Sequence, residues 1–375
     1  MSLTVDLVPE VRPAPDLLAF DHLEWWVGNA RHSAQWWATA FGFEIEAYAG
    51  PETGLRDRQS YVVRQGALRF VLTSALDDDG EVARFVARHG DGVRDVAYTV
   101  GDATVAYERA CARGAIGAAD PAITEDDLGR ARRSTIAAYG ETRHSFVERG
   151  DYGGTFLPGY EAVDLQVAGV APVGLDHADH VVANVGAGDL DEWVEWYEQV
   201  FGFRRLQQFD ADAISTEYSA LRSTVVWNGG SIVQPINEPA PGRRKSQIEE
   251  YLDYFGCPGV QHVAMHTDDI VGAVASMRRR GVRCMRVPDT YYDEAPGRLA
   301  DLDVDLPWDR LAELGILVDR DADGYLLQIF TEPVASRPTA FMEVIQRAGA
   351  KGFGEGNFKA LFTSIEAEQE RRGNL

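Results

Sequence analysis

The sequence predicts an α+β protein of four modules, each a strand followed by a helix and then several strands, paired into two domains. Two internal repeats predict this organisation. The segment Phe20–Tyr48 recurs as Ala178–Phe209, at an offset of roughly 160 residues. A second segment, Gly92–Arg113, recurs as Gly259–Arg280. Each half of the chain therefore carries one copy of both repeats, and each copy begins a module.

Each copy of the first repeat opens with an alternating strand and continues into a helix. The helix ends at a Phe-Gly-Phe corner, where Gly42 and Gly202 are suited to the left-handed residue that closes many helices. The helix of the second copy carries its apolar side chains at helical spacing. These are Leu190, Trp193, Val194, Tyr197, Val200 and Phe201.

Each copy of the second repeat predicts a strand and then a helix, over Asp102–Arg113 in one half and Asp269–Arg280 in the other. We expect residues 1–160 to form a domain with a structural or assembly role and no metal. Residues 174–375 are expected to form the catalytic domain. The segment between them, Glu161–Val173, has little pattern and is the predicted linker.

The end of the chain holds two short apolar runs, Tyr325–Phe330 and Ala340–Ile345, that are typical of buried strands. Glu343 lies in the second run and shares a strand face with Phe341. An ionised carboxylate among apolar side chains costs several kcal/mol unless a positive partner is present. A buried ion pair and a bound metal both remain open for Glu343 at this point.

Comparison of the two halves favours the metal. The second half keeps three potential ligands on three predicted strands: His180, His262 and Glu343. In the first half only His22 is retained, with Asp95 in place of the second histidine and Phe156–Pro158 near the place of the acid. Two imidazoles and one carboxylate are the ligand set of non-haem Fe(II) oxygenases. Histidines that are satisfied in the core remain the competing interpretation.

After these strands, the segment Phe358–Arg372 predicts a terminal helix. Its apolar residues recur three, four and seven positions apart and predict one stripe that faces the body of the protein. They are Phe358, Leu361, Phe362 and Ile365. We expect this helix to form a lid over the pocket.

Composition excludes several partners. The 59 acidic residues against 36 Lys and Arg give a net charge of -23, which disfavours nucleic acid and anionic membranes. The longest apolar runs are too short to span a bilayer, and the first residues lack a signal-peptide core. Three widely spaced cysteines, Cys111, Cys257 and Cys284, indicate a reducing cytoplasm.

Ordered motifs over nearly the whole chain resemble the 4-hydroxyphenylpyruvate dioxygenase family of the vicinal-oxygen-chelate superfamily. The first half contributes Val27–Asn29, Phe70–Thr73 and His89–Gly92. The second half contributes Asp179–Val185, Glu217–Val226, Pro235–Ala240, Lys245–Tyr251, Val287–Asp293, Gly324–Thr331 and Gly352–Phe358. The resemblance implies glyoxalase-like βαβββ modules in pairs, with an open barrel in the second domain that holds the metal.

The resemblance also implies an activity. Members use Fe(II) to convert 4-hydroxyphenylpyruvate and O2 to homogentisate and CO2, by oxidative decarboxylation, ring hydroxylation and side-chain migration, in tyrosine and phenylalanine catabolism. A homo-oligomer, dimer or tetramer, is expected by analogy. The related 4-hydroxymandelate synthases act on the same substrate and are the alternative. Catechol dioxygenases and metal-free drug-sequestering proteins use similar modules.

Carried over position by position, the family site implies a role for twelve residues. The metal ligands are His180, His262 and Glu343. The catalytic side chains are Gln328, Asn237 and Gln247, and the substrate-binding residues are Ser223, Gln261, Pro235, Phe330, Phe353 and Phe358. From the sequence alone, Gln247 is expected at an exposed helix start, and strand alternation aims Gln261 away from the metal. The three phenylalanines are otherwise ordinary core residues.

One local departure from the family pattern precedes the first ligand. It is the segment Asp176-His177-Ala178, which adds a second Asp-His pair three residues before His180. The spacing places His177 and His180 on different faces of a regular strand.

Overall fold

The structure, a computed structural model, describes residues 14–210, 219–299 and 304–373. The first two residues of the Glu217–Val226 motif, the start of the predicted first domain and the last two residues of the chain lie outside these ranges. Within them, the strands form two curled mixed sheets, one from each half of the chain, with helices packed against them.

The first half contributes nine strands and three helices among the described residues. The strands are β1 (Leu17–Trp26), β2 (Glu44–Ala49), β3 (Arg58–Gln65), β4 (Leu68–Ala75), β5 (Gly92–Val100), β6 (Gly117–Asp126), β7 (Gly129–Ala137), β8 (Arg143–Glu148) and β9 (Glu161–Ala162). The helices are α1 (Ala30–Phe41), α2 (Glu81–His89) and α3 (Ala103–Ala112). β9 pairs with β2, so the first two residues of the predicted linker extend this sheet.

The second half contributes eight strands and six helices within the same ranges. The strands are β10 (Leu175–Asn184), β11 (Arg204–Phe209), β12 (Ala220–Trp227), β13 (Val233–Ala240), β14 (Gly259–Thr267), β15 (Leu317–Arg320), β16 (Tyr325–Phe330) and β17 (Phe341–Ala348). The helices are α4 (Leu190–Phe201), α5 (Gln247–Phe255), α6 (Ile270–Arg279), α7 (Thr290–Arg298), α8 (Trp308–Leu314) and α9 (Phe358–Arg372).

The two sheets have equivalent strand orders, except that the first has an additional edge strand, β9. The first runs β6-β7-β8-β5-β1-β4-β3-β2-β9, and the second runs β15-β16-β17-β14-β10-β13-β12-β11. At the centre of each sheet, the opening strands of its two modules pair antiparallel, β1 with β5 and β10 with β14. The predicted α+β fold of four strand-helix-strands modules is therefore confirmed, while the exact domain limits stay a prediction.

The helices end where the repeat predicts. Gly42 and Gly202 close α1 and α4 with φ of 73° and 69°, a left-handed conformation that residues with a Cβ rarely adopt. Asp102 and Asp269 begin α3 and α6 by accepting a hydrogen bond from a backbone N–H of the first turn. None of the helices in the described part of the chain is both long and apolar enough to cross a membrane.

The halves pack on a shared core, and polar contacts of His144 are among those that cross it. His144 on β8 lies fully buried, and its Nδ1 donates to the Val96 carbonyl 3.2 Å away. The Tyr197 hydroxyl of α4 therefore donates to the unprotonated Nε2, at 2.7 Å. Burial lowers the pKa of His144 to about 4, and the hydrogen bond to Val96 opposes this only partly. The imidazole is thus neutral in the folded protein at neutral pH.

This histidine predicts acid-sensitive stability. Because the unfolded chain binds a proton near pH 6.5 and the folded chain only near pH 4, stability is lost as the pH falls between these values. Between pH 7.5 and 5 we expect His144 to account for about 2 kcal/mol of the loss in the free energy of unfolding. Urea titrations of native protein and H144Q at both pH values measure this share. H32Q, at an exposed histidine, should behave like the native chain; equal pH dependence of all three would contradict the assignment.

Candidate active site

Three buried side chains converge from three adjacent strands of the second sheet. Ala264 of β14 pairs with His180 of β10 on one side and with Glu343 of β17 on the other. Glu343 Oε2 lies 3.2 Å from His180 Nε2 and 3.5 Å from His262 Nε2. Each potential ligand atom is within 4.8 Å of the other two. The three residues that the sequence singled out are therefore brought together.

Hydrogen bonds orient both imidazoles. His180 Nδ1 donates to Asp179 Oδ1 at 2.7 Å, and His262 Nδ1 donates to Gln261 Oε1 at 3.1 Å. Each ring therefore presents its Nε2 to Glu343, since the other nitrogen already carries its hydrogen-bonded proton. Fixing the ring through the far nitrogen is the usual way in which proteins prepare a histidine for a metal.

An arginine holds the acid that orients His180. Arg347 donates to both oxygens of Asp179, at 2.7 and 2.8 Å, and also to the carbonyl of Gly352 at 2.7 Å. Burial raises the pKa of Asp179, but the hydrogen bonds from Arg347 and His180 outweigh it and the pKa is strongly lowered. Arg347 thus neutralises Asp179 rather than Glu343. The nearest positive or hydrogen-bonding partners of Glu343 are the two histidines.

The charges of the three converging side chains are coupled. Burial raises the pKa of Glu343, yet the charge of His180 and hydrogen bonds from both histidines lower it overall. Burial opposes protonation of His180, but the negative charge of Glu343 raises its pKa to about 9. For His262 burial dominates and lowers the pKa. An ionised carboxylate between one charged and one neutral imidazole is a donor set that a divalent cation fits, because the cation replaces the proton as counter-charge.

The three side chains lie in a cavity of about 580 Å³, counted out to its mouth. All twelve residues that the sequence associated with the site line it. They are His180, Ser223, Pro235, Asn237, Gln247, Gln261, His262, Gln328, Phe330, Glu343, Phe353 and Phe358. A mainly apolar cavity with several aromatic rings and a few polar groups is typical of a small-molecule site. The individual roles of these residues stay predictions.

Two glutamines in the cavity carry buried carbonyl oxygens with no hydrogen-bond partner among the described residues. They are Gln328 Oε1 and Gln247 Oε1. The sequence-only expectation of an exposed Gln247 is wrong, because the first turn of α5 packs into the body and leaves this side chain 9% exposed. Gly354, at φ 75°, lets the backbone approach Gln328, since a Cβ there would lie 2.4 Å from its Oε1. Unpaired buried carbonyl oxygens such as these favour a ligand that donates a hydrogen bond.

Strand alternation predicted the wrong direction for Gln261. This residue is buried and lines the cavity beside His262. Its side chain is long enough to turn back to the imidazole of the next residue, which a rule based on the direction of Cβ does not foresee.

Aromatic rings surround the ligand atoms. Phe353 packs edge-on to His180 at 5.2 Å between ring centroids, and Phe330 packs edge-on to His262 at 6.0 Å. Phe341 stacks on His262 at 4.7 Å and was not predicted as a site residue, although it shares the strand face of Glu343. The ring of Phe209 contacts that of Phe358 at 5.0 Å and is a second wall that the sequence did not indicate.

The terminal helix α9 closes one side of the cavity. Phe358, Leu361 and Phe362 all line it, and Ile365 one turn later is buried. The predicted apolar stripe is therefore confirmed. Ser219 Oγ donates to Glu366 and Arg372 donates to Glu250, so polar contacts also hold the helix to the body.

We predict that α9 becomes better protected when the cavity is filled, because a ligand adds contacts to Phe358, Leu361 and Phe362. A competitive 2-oxo acid or diketone should slow amide exchange in α9 about tenfold, equivalent to about 1.4 kcal/mol of local stability. Exchange mass spectrometry of the free and bound protein measures this. Helix α6, which does not line the cavity, is the internal control, and unchanged exchange in α9 would make it a static structural helix rather than a lid.

The first sheet retains the surroundings of the site without its ligands. His22 Nδ1 donates to Asp21, which Arg149 holds as Arg347 holds Asp179. Phe156 packs edge-on to His22 at 5.2 Å, the distance between Phe353 and His180.

The two other ligand positions of the first sheet hold different groups. Asp95 occupies the position of the second histidine, and Arg133 of β7 donates to it at 2.7 Å. Ser145 on β8 occupies the position of the acid, and its N–H donates to Asp95 at 3.0 Å. An arginine therefore supplies the positive charge here, and this sheet lacks the set of three ligands among the described residues.

This comparison corrects one expectation. The counterpart of Glu343 is Ser145 and not the Phe156–Pro158 segment, because β8 pairs with β5 as β17 pairs with β14. Helices α7 and α8 are inserted in the second half only, so the offset between the repeats is longer here than at the first strands. Applying the offset of the first repeat to Glu343 consequently points to the wrong residues in the first half.

Known proteins are similar to this chain in sequence and in fold. The Glyoxalase/Bleomycin resistance protein/Dioxygenase superfamily model matches residues 175–329. A 4-hydroxyphenylpyruvate dioxygenase of Aspergillus fumigatus is 44% identical over 95% of this chain and 94% of its own. One from Caenorhabditis elegans is 46% identical over 96% and 95%.

Among solved structures, a triple mutant of 4-hydroxymandelate synthase from Streptomyces coelicolor is similar, with a TM-score of 0.84 and 35% identity, covering 94% of this chain and 99% of that one. The identity to the dioxygenases is higher and extends over both halves of the chain. With the two curled sheets and the buried His-His-Glu cluster, these matches lead to one conclusion: the chain belongs to the 4-hydroxyphenylpyruvate dioxygenase family.

Proposed function

We propose that this protein is an Fe(II)-dependent dioxygenase that converts 4-hydroxyphenylpyruvate and O2 to homogentisate and CO2. The observation that supports it most is the combination of two imidazoles and one carboxylate at the wall of a largely apolar cavity that also holds two unpaired amide oxygens. A cavity that only sequestered an apolar ligand would gain nothing from burying the charged pair of Glu343 and His180, whose desolvation costs free energy.

His180, His262 and Glu343 are the residues that would hold the iron. Bound Fe(II) would supply the O2 and redox chemistry and a Lewis-acid site for the 2-oxo acid. The chain itself supplies the negative charge of Glu343 and two imidazoles already turned toward it by Asp179 and Gln261.

The cavity orients the substrate and excludes water. Phe330, Phe353 and Phe358 offer flat apolar surface to the aromatic ring of the substrate. Gln328, Asn237 and Gln247 offer amide donors and acceptors for its polar groups, and Ser223 a hydroxyl. The carbonyl oxygens of Gln328 and Gln247 lack partners among the described residues, so a phenol O–H that donates to one of them removes an existing desolvation cost.

The alternative product is 4-hydroxymandelate, which a related enzyme makes from the same substrate. The solved structure of the 4-hydroxymandelate synthase supports keeping this candidate. The outcome depends on which carbon of the substrate faces the iron, and therefore on the walls of the cavity rather than on the ligands. The bulky Phe358 and Pro235, which line the same cavity, favour homogentisate.

Product analysis tests the proposal. The purified chain is incubated with Fe(II), 4-hydroxyphenylpyruvate and air, and the products are separated by chromatography while O2 uptake is recorded. We expect homogentisate with one CO2 released for each O2 consumed. Hydroxymandelate as the main product would show that the protein is a 4-hydroxymandelate synthase instead. The absence of O2 uptake would reject both activities.

The setting of the enzyme is also a proposal. We infer a role in tyrosine and phenylalanine catabolism in a reducing cytoplasm, where the free thiols of Cys111, Cys257 and Cys284 would be kept reduced. Residues 1–160 would serve assembly and 174–375 catalysis, in a homo-oligomer. Size measurement by light scattering tests the last point.

A further inference from the structure

A second cluster of metal-binding side chains lies on the same two strands that carry the histidines of the active site. Its members are Asp176 and His177 on β10 and His266 on β14. Their ligand atoms all lie within 4.8 Å of one another. We call these three residues the strand-end cluster. It contains none of the residues that line the active-site cavity.

A β-bulge builds the cluster. Leu175 pairs with Thr267 and Ala178 pairs with Met265, so two residues of β10, Asp176 and His177, face the single residue His266. In a regular strand, neighbouring side chains point to opposite faces, and adjacent residues rarely act together. A bulge re-aims one of them, which explains how Asp176 and His177 both approach His266.

The contacts within the strand-end cluster are close. Asp176 Oδ1 lies 2.8 Å from His177 Nδ1 and 3.0 Å from His266 Nδ1. The two imidazoles stack, with centroids 4.7 Å apart and an angle of 26° between their planes. Similar separations, 3.2 and 3.5 Å, occur between the ligand atoms of the active site. One carboxylate oxygen shared by two imidazole nitrogens is the arrangement common to both places.

The fold does not require these residues. The first sheet has the same bulge between Leu17 and Ala19, opposite Thr99 and Val100 of β5. There, the equivalent strand end carries the apolar Leu18 and Ala19, with no potential ligand in the bulge. The cluster is thus a feature of the second sheet.

We propose that the strand-end cluster is a second divalent-metal site, distinct from the active site, that takes Ni²⁺, Cu²⁺ or Zn²⁺. Two imidazoles and one carboxylate suit these late first-row cations better than Mg²⁺ or Ca²⁺, which prefer oxygen ligands alone. Asp176 and His177 are about half exposed, at 47% and 48% of their side chains, so an ion reaches them from solvent. His266 is 13% exposed and is the most buried of the three potential ligands.

Binding there would join the two central strands of the second sheet, since the ligands come from β10 and β14. The same strands carry His180 and His262. An ion bound to the strand-end cluster would therefore stabilise the pairing of the strands that hold these two histidines, without entering the cavity. The inference does not depend on the proposed reaction.

Nickel titration tests the site. The untagged chain is first loaded with Fe(II) under anaerobic conditions, and Ni²⁺ is then added in a calorimeter; metal analysis after gel filtration reports both metals. We expect one Ni²⁺ per chain in addition to the iron. H177A and H266A should each weaken this binding at least tenfold while keeping the iron content of the native chain. H32A, which removes an exposed histidine elsewhere, should bind like the native chain.

Two results would overturn the proposal. One is a native chain that binds no Ni²⁺ beyond what displaces iron. The other is Ni²⁺ binding by H177A and H266A that equals native binding. D176N provides a further measurement, because it keeps size and removes only the charge; its Ni²⁺ affinity should fall while its unfolding curve stays close to that of the native protein.

Discussion

Replacing Glu343 by glutamine is expected to abolish metal binding at the active site and, with it, the formation of homogentisate. The substitution keeps the volume of the side chain and removes the negative charge that faces both His180 and His262. Loss of groups outside the first ligand shell already weakens metal affinity about 10- to 100-fold, so loss of this ligand should cost at least about 100-fold. Iron content per chain and O2 uptake with 4-hydroxyphenylpyruvate measure the effect.

Two other acids serve as controls for Glu343. Glu238 is equally buried, pairs with Arg222 and lies outside the cavity, and Glu355 is exposed beside the glycine-rich segment before α9. E238Q and E355Q should keep one iron per chain. Equal loss of iron in all three variants would show that the wrong acid has been chosen. Iron that stays stoichiometric in E343Q would show that Glu343 is not required to hold it.

Replacing Phe358 by isoleucine is expected to divert part of the product from homogentisate to 4-hydroxymandelate. The ring of Phe358 stands at the start of α9, lines the cavity and packs against Phe209. A smaller aliphatic side chain leaves room for the substrate ring to retreat, which brings its benzylic carbon closer to the place of oxidation. A change of about 1.4 kcal/mol between the two barriers alters the product ratio tenfold. Chromatography of the products gives the ratio directly.

The matched control is F362I, one turn further along the same helix and also at the cavity wall. It removes a ring of the same size and leaves Phe358 in place. If F362I yields as much hydroxymandelate as F358I, the shift reflects a loosened helix rather than the wall at Phe358. If F358I makes only homogentisate, Phe358 does not determine the product.

Several features of this protein could be predicted from its sequence because they are local. The strands and helices follow from apolar spacing of two or between three and four residues, and their ends from Gly42 and Gly202. The repeat placed His180 and His262 on equivalent strands. Glu343 was identified as a candidate ligand because burying an unpaired carboxylate costs free energy. The stripe of α9 likewise depends only on residues within a few turns of one helix.

The pairing of charges was decided by the tertiary structure. Arg347 lies four residues after Glu343, yet its guanidinium binds Asp179, which is far away in sequence. Gln261 reaches the site because its side chain turns back along the strand. The length and flexibility of these side chains allow several partners, and only the packing of the strands selects one.

The register of the strands in the two sheets also could not be predicted from the sequence. Two inserted helices shift the match of Glu343 to Ser145, and a single extra residue in β10 brings Asp176 and His177 to face His266. A shift of one residue turns each side chain of a strand to the other face, so residues that meet across strands cannot be found by counting along the chain. The sequence by itself determined which histidines and carboxylates are present in the two clusters. The tertiary structure decided which of them come close enough to share one ion, because that depends on the bulges and on the strand pairing.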